Sequence, residues 1–543
     1  MSTYDKASLV LIPSGTKTSK IYSQKPINGD GDFSFSRSTM ATRVNESGLI
    51  EKETQNLVLH SSNQLDLAYN IANSLQSKTA VNNPLTGNND AFKIVKVSGS
   101  SDPYLGQEIY TSVNGCYTGS MYLWTDSGQP TNCEIFLYNA GISEVYTKSI
   151  TLTTTPTRYE FFVNFNSTGG EIRFRLDLST STDAYLYTYG WQLERGLAAR
   201  DYIETTTSAV YGGITDNVPR IDYTNASCPS LLLEPTRTNI VLSSEYPYSS
   251  GINGIPFPRG GANVTYNYGI SPEGLQNSTL VTGTNGNVGI QVSFSNSDIN
   301  VDWSYSFYIK GIAGETVHLR YEITPYVLKS QEFITFTGDW QRIESTISYD
   351  ETVHVTKQWY ITFLQQSTAT QFEIYGLQAE SNASFPTSYI PTYGTSVSRN
   401  ADKPVDTPIA NFAEKNFTLF VDSKGENTQS AGTSTFGYQY GGGTIFRYSS
   451  CIGYSTTSGS QYYCGDFTSP HKWALSFDYD SSLLKIFVNG VLVRTATDIN
   501  PNRYGISYVK LNATGTTSLA IYNQVIIFKE ALTDQEAINL TTI

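Results

Sequence analysis

Two stretches of this sequence closely resemble each other: YTYGWQLERGLAARDYIETT at 187–206 and IYGLQAESNASFPTSYIPTY at 374–393. Each contains the motif Tyr-Gly-x-Gln-x-Glu, and the two copies of the motif start 186 residues apart. Other pairs of stretches keep nearly the same offset: TQNLVL (54–59) with TNIVL (238–242), YTGSMYLWTDSG (117–128) with WSYSFYIKGIAG (303–314), and PTRYEFFVNF (156–165) with DWQRIESTIS (339–348). The sequence therefore predicts that one domain occurs twice.

Short runs with alternating polarity fill each copy. SMYLW (120–124), IRFRL (172–176) and SFYIK (306–310) have the period of two that half-buried strands show, and Gly, Asn, Ser and Pro separate such runs. Many short strands in a domain of this size predict a two-sheet sandwich, a jelly roll. We place the first sandwich at 54–210 and the second at 236–395, with a bridge at 211–235.

The last part of the chain, 396–543, differs from the repeat but also reads as β-structure. Asn489-Gly490 lies between two alternating runs, which is a strong signal for a hairpin. Near the end, Thr533 and Glu536 have the spacing of a capping box and predict one short helix. The fold class is therefore all-β and multidomain, with two tandem jelly rolls and a third sandwich.

Composition excludes several classes of function. The chain of 543 residues has 15% charged residues, a net charge of −13 and a pI near 4.9. An acidic chain without a basic cluster is not expected to bind nucleic acid or an anionic membrane surface. It contains no apolar run of membrane-spanning length, and its N-terminus does not resemble a secretion signal, so we expect no membrane insertion.

Five cysteines are present, and none has the spacing of a metal ligand. We expect unpaired thiols, with Cys451 and Cys464 as the only plausible hairpin bridge. Asn28 to Asp32 resembles a calcium loop but has Phe33 and Thr39 where an EF-hand needs Gly and Glu. No cofactor is expected, although a structural calcium ion bound by other carboxylates stays an open alternative.

Aromatic side chains are the candidates for binding sugars, because sugar rings stack on them. Trp191, Trp303 and Trp340 lie in runs that the sandwich cores are expected to bury. Trp124 with Asp126, and Trp359 with Tyr360, are the candidates for an exposed glycan-binding face.

Hydrolysis of a polysaccharide needs two carboxylates on either side of the glycosidic bond. Glu194 and Glu380 recur at the same position of the two copies, which predicts a role in closing each sandwich. No second acid recurs, and the four histidines (His60, His318, His354, His471) are scattered. The glycines at 441–443 lack the Lys of a phosphate loop and predict a turn. The sequence therefore does not predict an enzyme.

Several motifs resemble those of virion appendage proteins of tailed phages, especially phages of gut Bacteroides-type bacteria (crAss-like phages). They are ASLVLIPSG (7–15), GDFSFSR (31–37), ATRVNESGLIE (41–51), PRIDY (219–223) and, after Cys228-Pro229, LLLEPTRTN (231–239). In that family the Gly-Leu-Ile-Glu motif runs nearly straight on to the Pro-Arg-x-Asp-Tyr motif. Here a whole sandwich separates them, so we infer that the first sandwich is an inserted copy of the second.

The two copies also resemble carbohydrate-binding jelly-roll modules, through Trp340-Gln341-Arg342 and the Tyr-Gly-x-Gln-x-Glu closure. The C-terminal part resembles concanavalin A-like, laminin G-type domains through Trp473, FVNG (487–490) and FKEALTDQE (528–536).

These resemblances imply a head or tail fibre on the virion surface, synthesised in the cytoplasm of the bacterial host. Residues 1–53 would bind other virion proteins of the capsid or tail, the chain would form a homotrimer or homodimer, and the sandwiches would adhere to host surface glycans. Deletion of 1–53 would then leave folded sandwiches. The alternatives are a polysaccharide-degrading phage appendage and a secreted bacterial adhesin.

Overall fold

A computed structural model shows a chain built almost entirely of antiparallel strands, which confirms the all-β, multidomain fold class. The structure describes all residues except 1, 70, 128–131, 142, 179–184, 225–227, 249–252, 285, 287, 296–299, 325–326, 352–354, 364–366, 405–406, 409–414, 425–433, 439–443, 449–450, 457–458, 465–470, 498–507, 510 and 512–518. His354 and the glycines at 441–443 therefore lie outside the described residues. No helix in the described part is both long and apolar enough to cross a membrane.

The N-terminal segment contains a 3-10 turn at Thr3–Lys6 and seven short strands. They are β1 Ala7–Leu11, β2 Thr16–Lys17, β3 Lys20–Ile21, β4 Phe33–Ser36, β5 Arg43–Val44, β6 Ile50–Glu51 and β7 Thr54–Asn56.

The first sandwich follows, and two of its strands are 21 residues long and bend from one sheet into the other. Its strands are β8 Ile71–Asn73, β9 Leu75–Val81, β10 Ala91–Lys96, β11 Tyr104–Trp124, β12 Asn132–Asn139, β13 Glu144–Thr151, β14 Thr157–Asp177, β15 Tyr185–Arg195 and β16 Val210–Gly212. The beginning of β11 pairs with the end of β14, in the order β8-β11-β14-β12-β13. The end of β11 and the beginning of β14 belong to the other sheet, whose strand order is β14-β11-β15-β10-β9.

The bridge and the second sandwich comprise β17 Arg220–Asp222, β18 Ser230–Leu233, β19 Arg237–Asn239, β20 Phe257–Arg259, β21 Asn263–Thr265, β22 Thr279–Thr282, β23 Gly289–Ser295, β24 Val301–Lys310, β25 Thr316–Ile323, β26 Val327–Thr335, β27 Gln341–Tyr349, β28 Thr356–Thr362 and β29 Gln371–Ser381. Two five-stranded sheets have the orders β20-β23-β28-β25-β26 and β21-β22-β29-β24-β27. These are the orders of the first sandwich, so the sequence repeat is also a repeat of topology.

The recurring closing motif has a structural purpose that is the same in both sandwiches. Gln192 accepts a hydrogen bond from the Ile203 amide at 2.8 Å, and Gln378 accepts one from the Ile390 amide at 2.7 Å. Gly190 has a φ of 60°, in the left-handed region that favours glycine. These bonds fasten the returning chain to the last strand of each sandwich.

In the described residues of the C-terminal part, most strands belong to two sheets, β30 and β31 pair with β19 and β4, and one helix follows the last strand. Its elements are β30 Val397–Arg399, β31 Lys403–Pro404, β32 Thr407–Pro408, β33 Phe417–Lys424, β34 Ser434–Tyr438, β35 Thr444–Tyr448, β36 Cys451–Thr456, β37 Gly459–Cys464, β38 His471–Asp478, β39 Leu483–Val488, β40 Val491–Ala496, β41 Tyr508–Val509, β42 Ala520–Phe528 and α1 Asp534–Thr541.

Local predictions for this part are confirmed. Asn489 and Gly490 both have positive φ, as a two-residue hairpin turn requires, and Thr533 caps α1 in a capping box with Glu536. Cys451 and Cys464 form a disulfide across the β36–β37 hairpin, so the bridge alternative holds for this pair. The other three cysteines are free.

The expected outcome of the truncation assumed that residues 1–53 fold separately from the sandwiches. The structure shows that they pack with the rest of the chain. Strand β1 pairs with β42 of the C-terminal sheet, and β18 of the bridge pairs with the other half of β42. Leu9 and Leu11 lie in the same apolar core as Trp473. Deletion of 1–53 would therefore uncover this core, which contradicts our expectation that the deletion leaves the sandwiches folded.

Buried ion pairs fix the junction between these parts. Asp402 accepts hydrogen bonds from Arg37 of the N-terminal segment and Arg220 of the bridge. Lys52 lies 2.8 Å from Glu245 and 2.7 Å from Glu273 of the second sandwich. Because such charges are costly to bury unless they are paired, these contacts define how the parts pack.

Candidate functional site

The outer face of one sheet of the first sandwich carries an unusual set of aromatic and charged side chains. Along β14, Ile172, Phe174 and Leu176 point into the core, so the residues between them point outward. The same alternation applies to β11 and β12. We call the resulting surface the first face, and define it as Tyr104, Glu108, Tyr110, Glu134, Phe136, Tyr138, Glu171, Arg173, Arg175 and Asp177.

Strand register places these side chains in rows across the sheet. Asp177 lies between Tyr104 and Glu134. The next row places Arg175 beside Phe136, and the following one places Arg173 between Glu108 and Tyr138. Since directly opposed side chains on one face of a sheet touch, each arginine lies next to an aromatic ring.

Arg175 lies flat in the middle of the first face. Its guanidinium carbon is 3.7 Å from the centroid of the Tyr104 ring and 5.1 Å from that of Phe136. Gly106 leaves the space for this side chain, because a Cβ there would lie 2.7 Å from Cγ of Arg175 and 2.6 Å from the Phe174 carbonyl oxygen. The Arg175 guanidinium therefore covers the Tyr104 ring and lies beside the Phe136 ring.

Carboxylates hold both arginines. Arg173 pairs with Glu171 at 2.7 Å and with Glu108 at 3.1 Å, and Arg175 pairs with Asp177 at 2.9 Å. Four carboxylates and two guanidiniums occupy the first face, so its net charge is negative.

The rings differ in exposure. Tyr110 is 73% exposed and stands at the end of the strip, where its hydroxyl donates to Glu108 at 3.4 Å. Tyr104, Phe136 and Tyr138 are half-buried. Half-buried rings beside ordered hydrogen-bonding groups suit a ligand that has both C–H faces and hydroxyls, which is the chemistry of a saccharide.

Sequence reasoning missed these residues, although their signal was present. The run NCEIFLYN in β12 alternates strictly, with Cys133, Ile135 and Leu137 buried and Phe136 and Tyr138 between them. An aromatic residue at a position that the alternation assigns to the solvent side of a strand is a better sign of an outer aromatic face than the presence of a Trp residue.

The predicted pair Trp124 and Asp126 lies on the other sheet of the first sandwich. Asp126 accepts hydrogen bonds from Tyr185 at 3.0 Å and Tyr187 at 2.8 Å, and burial together with Asp126 raises the pKa of Tyr187 to about 12. Trp124 is only 5% exposed, because the Tyr187 ring stacks on it at 5.4 Å. The expected open Trp124 platform is therefore wrong, since a neighbouring ring already occupies that face.

The predicted pair Trp359 and Tyr360 splits between the two sides of β28. Trp359 is 1% exposed and packs in the core against Tyr305 and Phe307, so its predicted exposure is wrong. Tyr360 does point outward, but Arg259 and Arg320 lie on its ring at 4.6 Å each. No sugar can stack on this ring while the two guanidiniums cover it.

The remaining tryptophan predictions are confirmed for two residues of three. Trp191 and Trp303 are fully buried in the two sandwich cores. Trp340 is not in the core, because it packs beside Ile50 and donates its indole N–H to the Ile270 carbonyl at 2.9 Å.

Glu194 and Glu380 are fully buried, one in each sandwich, where burial raises the pKa of each carboxyl. Glu194 accepts hydrogen bonds from Gln192 and Arg200, and Glu380 accepts one from the Thr387 amide at 2.9 Å. Both therefore hold the closing stretches, as predicted, and neither reaches the first face.

The described residues contain no group of three or more His, Cys, Asp or Glu side chains placed to hold a metal ion. In the stretch that resembles a calcium loop, Asp32 instead pairs with Lys20 at 2.7 Å and accepts a hydrogen bond from the Ser23 amide at 2.9 Å.

Comparisons with known proteins give weak likenesses to carbohydrate-binding modules. A tandem of family 22 modules from Paenibacillus barcinonensis is 13% identical, with a TM-score of 0.22, and the match covers 57% of this chain and 91% of that one. A xylan-binding family 22 module of the same bacterium is 17% identical, with a TM-score of 0.20 and coverage of 27% and 94%. A family 40 module of a Ruminococcus gnavus sialidase is 16% identical, with a TM-score of 0.20 and coverage of 24% and 84%.

No family model matches the chain, and no curated protein matches it. Likenesses of this size carry no argument about a ligand. The case for a binding site therefore stands on the geometry of the first face.

Proposed function

We propose that this chain is a non-enzymatic structural protein of a tailed phage, a head or tail fibre on the virion surface, whose first sandwich binds host surface glycans. The observation that supports glycan binding is the strip formed by Phe136, Tyr138 and Tyr110, with charged groups between the rings and with Tyr104 covered by the Arg175 guanidinium at one end. The virion role rests on the resemblance of the N-terminal and bridge motifs to phage appendage proteins.

The shape of the first face favours an extended chain of sugars. Tyr104 and Tyr110 are six residues apart on one strand, which at about 3.4 Å per residue is roughly 20 Å. Partly exposed carboxylates such as Glu108 and Glu171 can accept hydrogen bonds from sugar hydroxyls, and guanidiniums can donate to hydroxyl oxygens. A polysaccharide can therefore contact several rings of the strip at once.

Binding without cleavage is favoured by how the acids are engaged. Glu108 and Glu171 share Arg173, and Asp177 pairs with Arg175. A glycosidase needs one carboxyl group that remains protonated and can transfer its proton. Carboxylates held by guanidiniums are suited to fixed hydrogen bonding, which supports the non-enzymatic proposal.

Docking to capsid or tail would use the exposed side of the N-terminal segment. Strand β1 pairs with β42 and β4 pairs with β31, whereas Ile27 is 96% exposed and Tyr22 is 38% exposed. Exposed apolar side chains of this kind are typical of interaction surfaces. A homotrimer or homodimer would present several first faces and raise the avidity of weak sugar contacts.

Binding to whole host-type cells and to their isolated surface polysaccharide tests the glycan proposal. The wild type is compared with Phe136→Ala/Tyr138→Ala, and with Tyr462→Ala as the control, because Tyr462 is 52% exposed on the C-terminal part. We expect saturable binding, weakened by at least about tenfold in the double variant, since each lost ring contact is worth about 1 to 2 kcal/mol. Equal binding by all three proteins would refute the assignment.

Release of reducing ends, measured in the same tubes, separates binding from hydrolysis. We expect none, and new reducing ends would establish the enzyme alternative. Mass spectrometry of purified particles of the corresponding phage tests the virion role, which fails if this chain is absent from them.

A further inference from the structure

The second sandwich has the equivalent of the first face on the sheet β20-β23-β28-β25-β26. Trp359 and Ile361 point into the core of the second sandwich, so Gln358 and Tyr360 point outward. We call this side of the sheet the second face, and define it as Arg259, Gln291, His318, Arg320, Glu322, Gln358 and Tyr360. Only Arg259, Arg320 and Gln358 are partly exposed, and the other four side chains are buried beneath them.

The two faces have opposite charge although they occupy the same place in the repeated fold. The first face has four carboxylates against two arginines, and the second has Arg259 and Arg320 against Glu322 alone. Burial lowers the pKa of His318, so this histidine adds no charge near neutral pH. The two copies of the domain thus differ in the sign of the charge on this face.

Tyr360 holds the two guanidiniums in place. Each guanidinium carbon lies 4.6 Å from the centroid of the Tyr360 ring, within the range of a cation–π contact. The Tyr360 hydroxyl donates to the side-chain oxygen of Gln358, which fixes the ring on the sheet. Stacking uses the flat sides of the guanidiniums and leaves their N–H edges for other partners.

Arg259 has an unbalanced charge. It is partly exposed, and it donates to the Gln291 side-chain oxygen at 2.6 Å. No carboxylate in the described part of the chain pairs with it. Arg320, in contrast, lies 3.0 Å from Glu322. A guanidinium fixed by stacking and lacking a carboxylate is a ready partner for a carboxylate or sulfate group.

We propose that the second face binds an acidic saccharide, with its carboxylate or sulfate on Arg259 and Arg320, whereas the first face binds an uncharged one. This inference rests on the proposed function, because it assumes that the sandwiches bind glycans. The negative first face repels an acidic sugar, and the covered Tyr360 ring offers no stacking surface for a neutral one. The two copies therefore recognise different chemistry.

A printed array of sialylated, uronate and sulfated oligosaccharides, each beside its uncharged counterpart, tests the inference with the full chain. We expect the wild type to bind at least one acidic glycan in preference to its uncharged counterpart, with an affinity that falls as salt is added. Arg259→Gln/Arg320→Gln should lose at least about tenfold of that affinity and keep the neutral binding. Phe136→Ala/Tyr138→Ala should show the reverse pattern.

Retained neutral binding shows that the arginine variant is folded, and Arg259→Gln alone serves as a milder variant, since Arg259 contacts the uncharged side chains of Gln291 and Tyr360. Absence of acidic binding in the wild type, or its persistence in both arginine variants, overturns the inference while neutral binding stands. Absence of all binding would instead refute the proposed function as well.

Discussion

Replacing Asp402 with Asn tests how the junction holds the N-terminal segment. The Asp402 carboxylate is fully buried and accepts hydrogen bonds from Arg37 at 2.9 Å, from the Glu234 amide at 2.9 Å, and from Arg220. Arg399 lies in the same cluster, 2.8 Å from Glu234. The substitution keeps the shape of the side chain and leaves three buried arginines with Glu234 as their only carboxylate in this cluster.

Breaking a buried ion pair by removing one partner costs about 3 to 5 kcal/mol. Because about 1.4 kcal/mol corresponds to a factor of ten, local opening of the junction should increase by roughly 100- to 4,000-fold. Asp350→Asn is the matched control. Asp350 has an 83% exposed side chain that pairs with Lys329 at 2.9 Å, and exposed pairs are worth about 0 to 1 kcal/mol.

Hydrogen exchange measured by mass spectrometry reports this opening segment by segment. We expect faster exchange in β4, β17, β18 and β31, which adjoin the cluster of Asp402 and its arginines, and unchanged exchange in β11 and β14 of the first sandwich. Exchange in β4 and β17 within a few-fold of that in Asp350→Asn would refute the reasoning. Equal acceleration in β11 would show that the junction does not act locally.

Two further substitutions test single contacts. Burial, and secondarily the charge of Asp216, raises the pKa of Glu53 to about 7. The folded state therefore holds this proton more tightly than the unfolded state, and stability falls as pH rises from about 4.5 through 7. Glu53→Gln should raise the free energy of unfolding by about 1 to 2 kcal/mol at pH 8, after allowance for solvent screening, and should not change it at pH 4. Urea unfolding at both pH values measures this effect, and an equal effect at the two values would contradict the prediction. A Cβ on Gly115 would lie 1.4 Å from the Tyr393 carbonyl oxygen, so Gly115→Ala should separate the two sandwiches there and speed hydrogen exchange on both sides of the contact. Gly99→Ala is the control, because Gly99 has a similar φ and open space around it, and it should cost only about 1 kcal/mol of stability. Similar exchange in the two variants would contradict the contact.

Local patterns were sufficient where neighbours along the chain decide the structure. The hairpin at Asn489-Gly490 and the capping box at Thr533 depend on backbone preferences within a few residues, and both form as predicted. The recurring closing motif also predicted a repeated topology, because Gln192 and Gln378 make the same local bonds.

The prediction of exposed rings failed where neighbouring residues of a strand, which point to opposite sides of the sheet, both have large aromatic side chains. In β28, Trp359 and Tyr360 are adjacent, and nothing in their order shows which one the core takes. The structure buries Trp359 because Tyr305 and Phe307 of β24 meet it from the facing sheet. The first face was missed for a related reason, since Tyr104, Phe136 and Arg175 come together only through pairing of β11, β14 and β12.

The sequence by itself determined the duplication, the strand-rich fold class and the turns, since each follows from periodicity and short-range backbone chemistry. Only the tertiary structure decided which rings face outward, that the two equivalent faces differ in charge, and that β1 pairs with the C-terminal sheet. These features join β1 to β42, and Arg37 to Asp402, across most of the chain. Such contacts depend on packing between distant segments, to which no local pattern of residues is sensitive.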